Sequence, residues 1–472
     1  MKNTLYKKIL VLFAIIAVSC GDKLDLEPTN FVDADLAKKD VGLLVSGAYA
    51  LLGAGAGPAG PNLQEGALYA TDILLDGDLL ASEEYMGWSG TFQQYSEISA
   101  KEMSSTNSSV VRMWNKGYAA INLANVILAH LDNAPEEDRD RFRGHALFVR
   151  GIVQFELLRF WADPVQDLGI PLITKPTEKF GEVQSPSRAS VGESYAAVIN
   201  DLTQAKALLP DFDDDLGNAY SASAFLARVY LQKGDYQNAL TEADNVIKSE
   251  QYALVSSVEA AFNTTSSEAV FEVQQTTQNN AGTANDGLTT FYACDPNHTP
   301  GSTGRGDVLV DSTFIERYEE DDKRRSKLIY LGSCGNESVT SSKWKNPYTN
   351  IAVIRLSEMY LVRAECNIRL GLPGEPNATP LEDVNAIRAK AGASLLGAVT
   401  IDDVLNERDL ELAFEGQRIH DYKRTGKVIH IVPDDPEEEP YDVDYSDPAF
   451  VFPIPQSQIN TNKNIEQNTF YQ

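Results

Sequence analysis

The 472-residue chain is poor in the residue types that carry metal, redox and nucleophilic chemistry, with four cysteines, five histidines and five methionines. No CxxC pair occurs and no cysteine stands at ligand spacing from a histidine, which argues against a zinc site. His130, His145, His298, His420 and His430 form neither an HExxH pair nor a triad-like set. Catalytic residues, metal ligands and a resident cofactor are therefore not expected. Positive charge is scarce too: 40 Lys and Arg face 68 Asp and Glu, for a formal net charge of −28. Binding to nucleic acid is driven by counterion release onto Lys and Arg, so this balance excludes nucleic acid as a partner. A bilayer-spanning run is also missing, since the apolar stretch from Ile9 to Val18 falls well short of the roughly 20 residues a membrane helix needs.

Two suggestive segments are equally bare. GSTGRGD, at 301–307, has no Lys-Ser/Thr pair and follows no apolar strand, so it reads as a loop carrying an Arg305–Asp307 charge pair, not a phosphate loop. The acidic DDPEEEPYDVDYSD lacks EF-hand spacing and reads as solvated loop, with calcium left open.

What the chain does have begins with a basic MKNTLYKK, the apolar run and then Ser19-Cys20, the layout of a signal peptide over residues 1–19. The small residue before Cys20 resembles the lipobox of bacterial lipoproteins, although Ala17 stands where leucine is commonest. The resemblance implies lipidation of Cys20 and an anchor that does not span the membrane. An ordinary cleavage site beside an incidental cysteine is the other reading. Residues 20–33, short and acidic, then act as a tether. Cys294 and Cys334 lie in loop-like sequence and either pair or stay free, while Cys366, on an apolar helix, reads as a core residue.

The body, residues 34–472, reads as mostly helical. Helical periodicity marks Ala34–Leu52, Trp114–Leu131, Gly144–Trp161 and 189–209. SASAFLARVYLQKGDYQNALTEADNVI fits the tetratricopeptide pattern, with Ala227 small at a helix crossing, Tyr230 beside it, Gly234 at the turn, and Tyr236 and Ala239 on the returning helix. One such hairpin cannot bury its own face. The pairs at 112–161, 190–233, 352–391 and 401–425 are therefore expected to stack as imperfect repeats, with Ala364 and Gly371 placed as Ala227 and Gly234 are. A scaffold that binds a protein tail is one function class such hairpins allow.

From Ile351 to Gly426 two long helical patterns flank a Pro/Gly-rich break. The first, Ala352–Leu370, is apolar nearly all round and leaves a stripe of Arg355, Glu358, Glu365 and Arg369, spaced to pair along the helix. The second is capped by Thr400 with Asp403 and runs to Gly426, with Glu407, Glu411 and Glu415 on one face. No Glu-x-x-His accompanies them, so neutralisation by Arg408 and Arg418 is the reading, not a metal face.

IAVIRLSEMYLVRAE and LNERDLELAFEGQRIHDYKRTGK together resemble the C-terminal signature of the SusD/RagB family, surface nutrient-binding lipoproteins of Bacteroidetes. WNKGYAAINLANVIL, LFVRGIVQFELLRFWADPVQDLGIPLI and the closing VFPIPQSQINTNKNIEQNTFY extend the resemblance, with ADPVQD departing from the family's usual Tyr-Gly pair. The resemblance implies a mostly α fold: tetratricopeptide-like hairpins within 112–250 and 351–426 form a scaffold. A loop-rich insert over 251–347 and a few short strands supply the ligand-binding face. It also implies a non-enzymatic role at the outer membrane, binding a glycan, or a peptide in RagB-like members, as the lid of a SusC-like TonB-dependent transporter.

Between Tyr252 and Pro347 helical periodicity fades, and AVFEVQQT alternates like a strand. Trp88 with Tyr85 and Tyr95, and Tyr292 with Trp344, fall in Gly-, Ser-, Thr- and Asn-rich segments with no helical stripe to bury them. Aromatic faces stack on the C–H faces of sugars, so these five are candidate ligand contacts, Trp88 and Trp344 foremost for their area. Asp76, Asn297 and Arg305 are candidates to bridge hydroxyls. The alternative is that the rings pin long loops to the body.

Overall fold

A computed structural model describes residues 38–53, 68–213, 215–276, 280, 286–294, 304–331, 339–375, 378–431 and 439–472. The signal peptide, Cys20, the tether, Asn297 and Cys334 lie outside the described residues.

Helices begin where a side chain can accept from an otherwise unpaired N–H. Asp40 caps α1 (Val41–Ala50); a π-helical turn, Leu68–Asp72, leads into α2 (Ile73–Leu80). After α3 (Gln93–Ser99), Asn107 caps the long α4 (Ser108–Ala129). Next come α5 (Arg139–Trp161) and α6 (Val191–Leu208), the latter opened by a reciprocal Ser190/Glu193 box. Asn218 and Asp235 cap α7 (Ala219–Lys233) and α8 (Tyr236–Lys248). The loop-rich middle holds three short helices, α9 (Leu288–Tyr292), α10 (Ser312–Glu316) and α11 (Lys323–Lys327). Then follow α12 (Leu356–Leu370), α13 (Pro380–Ala391), α14 (Ile401–Glu411), α15 (Arg418–Thr425) and α16 (Gln456–Thr461).

Each long helix packs on its neighbour: α4 on α5, α5 on α6, α6 on α7, α7 on α8, α8 on α12, and α12 on α13 and α14. The hairpins expected over 112–161, 190–233 and 352–391 are thus present and stacked, while the pair expected over 401–425 is two short helices either side of a turn. Ala227, Ala239 and Ala243 are fully buried between them, small enough to let the helices approach. Gly234 and Gly371 end α7 and α12 with φ of 78° and 67°, the left-handed cap that the parallel placement of the two glycines implied.

Among the described residues strands form only two-stranded antiparallel ribbons. They pair β1 (Met86–Trp88) with β3 (Val308–Val310), β2 (Ala269–Val273) with β6 (Ile351–Arg355), β4 (Ile329–Leu331) with β5 (Val339–Ser341), and β7 (Val428–Ile431) with β8 (Tyr441–Asp444). The alternating AVFEV segment is β2, as its pattern indicates.

Three expectations are corrected. The chain over Ile351–Arg355 is a strand paired with β2, and the helix starts at Leu356, so Arg355 is not on a helical stripe. Arg355 binds Glu268, Glu411 and Glu415 at 3.0, 3.0 and 2.7 Å, and Glu358 instead pairs with Arg228 of α7 at 2.5 Å. Only Glu365 and Arg369 meet along the helix, at 2.7 Å. Second, the helix from Thr400 stops at Glu411 and a turn intervenes before α15. Gly416 in that turn has φ 70°, and a Cβ there would lie 2.7 Å from the Leu74 backbone, so α2 requires the close approach. Third, Glu407, Glu411 and Glu415 are neutralised by bases from elsewhere. Glu407 meets Arg324 and Arg388, Glu411 meets Lys390 and Arg355, and Glu415 meets Lys343. Arg408 and Arg418 pair with Asp421 and Asp409.

Candidate functional site

The β1–β3 ribbon sets Trp88 opposite Val308 and leaves its ring half-buried. That ring packs 4.9 Å from Tyr95 and 5.4 Å from Phe291, while Phe92, also half-buried, lies 6.2 and 6.1 Å from the same two rings. The edge-to-face and tilted geometries are those that ring quadrupoles favour. The Arg305 guanidinium covers Phe92 and Phe291 at 5.0 and 5.6 Å and is ion-paired with Asp307 at 2.5 Å. Ser89 donates its N–H to the Asp307 carbonyl at 2.8 Å. A Cβ at Gly90 would stand 2.5 Å from the Trp88 ring, so glycine lets the chain turn tightly over the indole. The Trp88 Nε1–H is buried and has no hydrogen-bond partner, an unpaired donor inside the aromatic face.

The other candidate rings sit differently. Tyr85, Tyr95 and Tyr292 are fully buried, and so is Asp76. The expectation that nothing buries these tyrosines is corrected: each hydroxyl reaches a buried carboxylate, which makes full burial affordable. Tyr292 and Tyr85 donate to Asp78 at 2.6 and 3.3 Å, and the Gly416 N–H donates to it at 3.1 Å. Tyr95 donates to Asp286 at 3.1 Å. Asp76 accepts from Ser109 at 2.7 Å and has a second oxygen with no partner. These residues offer no face to solvent; they fix the platform beneath Trp88. The helix α9 is held at both ends in this way, by Asp286 just before it and by Tyr292 on Asp78 at its end.

That platform is short of positive charge. Arg112 reaches Asp72 at 2.5 Å and Asp286 at 3.3 Å. Burial, with the Arg112 charge opposing it, pushes the Asp286 carboxyl up to about 6. Burial also pushes Asp78 up to about 7, against the tyrosine and Gly416 hydrogen bonds. Asp76 is raised well above the usual range by burial and by Asp72 beside it. Among the described residues no group of three or more His, Cys, Asp or Glu is arranged to hold a metal ion.

Trp344 is 6% exposed, and its indole N–H donates to the Phe414 carbonyl at 2.9 Å, so only an edge of the ring is available. That edge walls a small recess, open to solvent, with Asn263, Gln275, Thr289, Asn346, Thr349 and Asn350 as its polar lining. Leu288 and Thr289 of α9 line the recess and Phe291 of α9 belongs to the aromatic face, so one helical turn joins the two. Arg305 is half-buried at the aromatic face. Cys294, bridged to Arg305 by backbone, is disulfide-bonded, and Cys366 is free and buried. Sequence reasoning missed Phe291, Asp78, Asp286 and the amide lining, whose roles depend on partners brought together only by the fold.

Comparison with known proteins identifies the architecture. A SusD-like family model, described as starch-binding and associating with the outer membrane, matches residues 66–231, and a model of the SusD family matches 331–471. SusD-like protein P2 of Formosa agariphila is 24% identical over 526 aligned positions, covering 98% of this chain and 99% of that protein. The starch-binding protein SusD of Bacteroides thetaiotaomicron is 31% identical over 136 residues, 26% of this chain and 22% of that one. Among solved structures, a SusD superfamily protein from B. thetaiotaomicron superposes with a TM-score of 0.77 at 24% identity, covering 91% of this chain and 99% of that one. A putative sugar binding protein from Bacteroides vulgatus gives 0.74 at 25%, covering 92% and 98%. The mostly helical fold with few short strands is theirs, and the chain belongs to the SusD/RagB family, whose members are binding proteins and not enzymes.

Proposed function

We propose that the chain captures an oligo- or polysaccharide at the outer membrane through the aromatic face at Trp88, and passes it to a SusC-like TonB-dependent transporter that it covers as a lid. The observation that carries this reading is the half-buried Trp88 ring, supported from behind by Tyr95 and Phe291 and carrying a buried N–H without a partner. A flat apolar face matches a sugar, whose ring faces are C–H. The match to a model described as starch-binding, and the likeness to a putative sugar binding protein, support the ligand class. Association with the outer membrane accords with that model's description, and Cys20 after an apolar run supports a lipid anchor. No helix among the described residues is long and apolar enough to cross a membrane.

The test of ligand class is a printed array of oligosaccharides beside an array of peptides, probed with the detergent-solubilised protein. Retention on saccharides alone is expected; retention on peptides alone would replace the reading. For the anchor, Cys20→Ala should move the protein from the detergent phase to the aqueous phase of a phase-partitioning extraction. A wild type already in the aqueous phase would contradict it.

A further inference from the structure

Building on the saccharide reading, we propose that the recess beside Trp344 is a second subsite, that it receives the rim of an uncharged sugar residue, and that a chain ligand held at the Trp88 face reaches it. The recess has groups waiting for a partner. Thr289 is 5% exposed, lines the recess, and its hydroxyl makes no hydrogen bond to the protein. The Thr349 hydroxyl and the Asn346 carboxamide nitrogen, also at the recess, make none either. The Asn346 oxygen is committed, accepting from the Tyr348 N–H at 3.0 Å. Asn346 is exposed and Thr349 half-buried, so these groups are open to water in the recess, and a ligand hydroxyl can take that water's place.

The same lining specifies charge. Among the described residues no Asp or Glu borders the recess, and the cation that does, Lys343, is 2% exposed. Its ammonium donates to Glu415 at 2.7 Å and to the Glu411 carbonyl at 2.9 Å. A sulfate or carboxylate entering here would lose its water and meet no free counter-charge, and a net charge of −28 opposes its approach. An amine would find no carboxylate. Hydroxyl and acetamido groups, which donate and accept without charge, match the threonines and amides, while Trp344, Leu288, Ile351 and Pro347 give the recess its apolar wall.

The experiment combines an array with a length series. Uncharged glucans, xylans, mannans and galactans are printed beside uronate- and sulfate-bearing chains, and the bound class is then titrated calorimetrically as oligomers of increasing length. The variant is Asn346→Asp, which keeps the acceptor for the Tyr348 N–H and places a carboxylate where the uncommitted amide was. Binding to uncharged chains is expected, with Asn346→Asp losing about tenfold on long oligomers and nothing on the shortest that binds. An unchanged melting temperature confirms the variant's fold. Hits confined to acidic glycans would overturn the proposed subsite while leaving saccharide binding intact, as would an Asn346→Asp protein equal to wild type at every length. Failure to bind any saccharide would remove the underlying reading itself.

Discussion

Two buried charge clusters lie on either side of the turn at 412–417, and they are built on opposite principles. Around Arg355 the acids Glu268, Glu407, Glu411 and Glu415 meet the bases Arg324, Lys343, Arg355, Arg388 and Lys390, most of them nearly inaccessible. Under the Trp88 face, Asp72, Asp76, Asp78 and Asp286 have mainly Arg112 among them, and tyrosine hydroxyls supply the rest. In the matched cluster burial alone would raise the Glu411 carboxyl, but Lys390, Arg355 and Arg324 hold it well below the usual range. In the acid-rich cluster burial wins and the Asp76, Asp78 and Asp286 carboxyls rise. One cluster is a rivet between β6, α13 and the turn; the other is a platform whose charge follows pH.

The largest break in this comparison is Arg355→Met. Removing the guanidinium leaves Glu268 and Glu411 to Lys390 and Arg324, and Glu415 to Lys343, with less positive charge than the acids need, and taking one partner out of a buried ion network costs about 3–5 kcal/mol. Denaturant unfolding of the variant against wild type measures it, and a loss under 1 kcal/mol, about the worth of an exposed pair, would show that the network is not a rivet.

Next in size is a difference in sign with pH. Glu411 and Glu415 have lowered carboxyls, so their stabilisation is present above the usual carboxylate range and is lost as pH falls through their folded values. Asp78 and Asp286 are raised from 3.8 to about 7 and about 6, so the folded state binds their protons more tightly than the unfolded chain does. Their contribution is full below 3.8 and is lost as pH rises through about 6 and then about 7. Asp78→Asn, which can still accept from the tyrosines, should flatten the stability profile between those limits and leave the acid-side loss untouched. An unaltered slope in melts across that range would contradict the assignment.

The smallest effect serves as a reference without charge. Ala227→Leu overpacks the crossing of α7 with its neighbours at a cost of about 1–3 kcal/mol, equal at every pH. A melting temperature equal to wild type would mean that Ala227 is not at a close crossing.

The legibility of these regions from sequence follows the range of the interactions involved. The α7–α8 hairpin is readable because its signals are local: small Ala227 and Ala239 at the crossing and Gly234 at the turn. Ala352–Arg355 reads as helix in the sequence because all five residues of the strand Ile351–Arg355 are buried, and a segment buried on every side shows neither period 2 nor 3.6. The turn at Gly416 was hidden because its cause is the backbone of α2, more than 300 residues earlier in the chain. Tyr85, Tyr95 and Tyr292 looked available in loop-like sequence, but their hydroxyls are matched to aspartates that only the fold brings near. Trp88 kept a partly open face because it lies on a short ribbon opposite Val308, and no carboxylate claims its N–H.

The central claim is that Trp88 is the ligand-stacking residue of a saccharide-binding face. The most direct measurement is calorimetric titration of the strongest array saccharide into wild type and Trp88→Ala, with thermal melts of both. The account predicts that affinity falls by about 1–3 kcal/mol, the scale of aromatic stacking on bases, while the melting temperature stays close to wild type. Unchanged affinity, or a loss of binding that tracks a loss of stability, would contradict it.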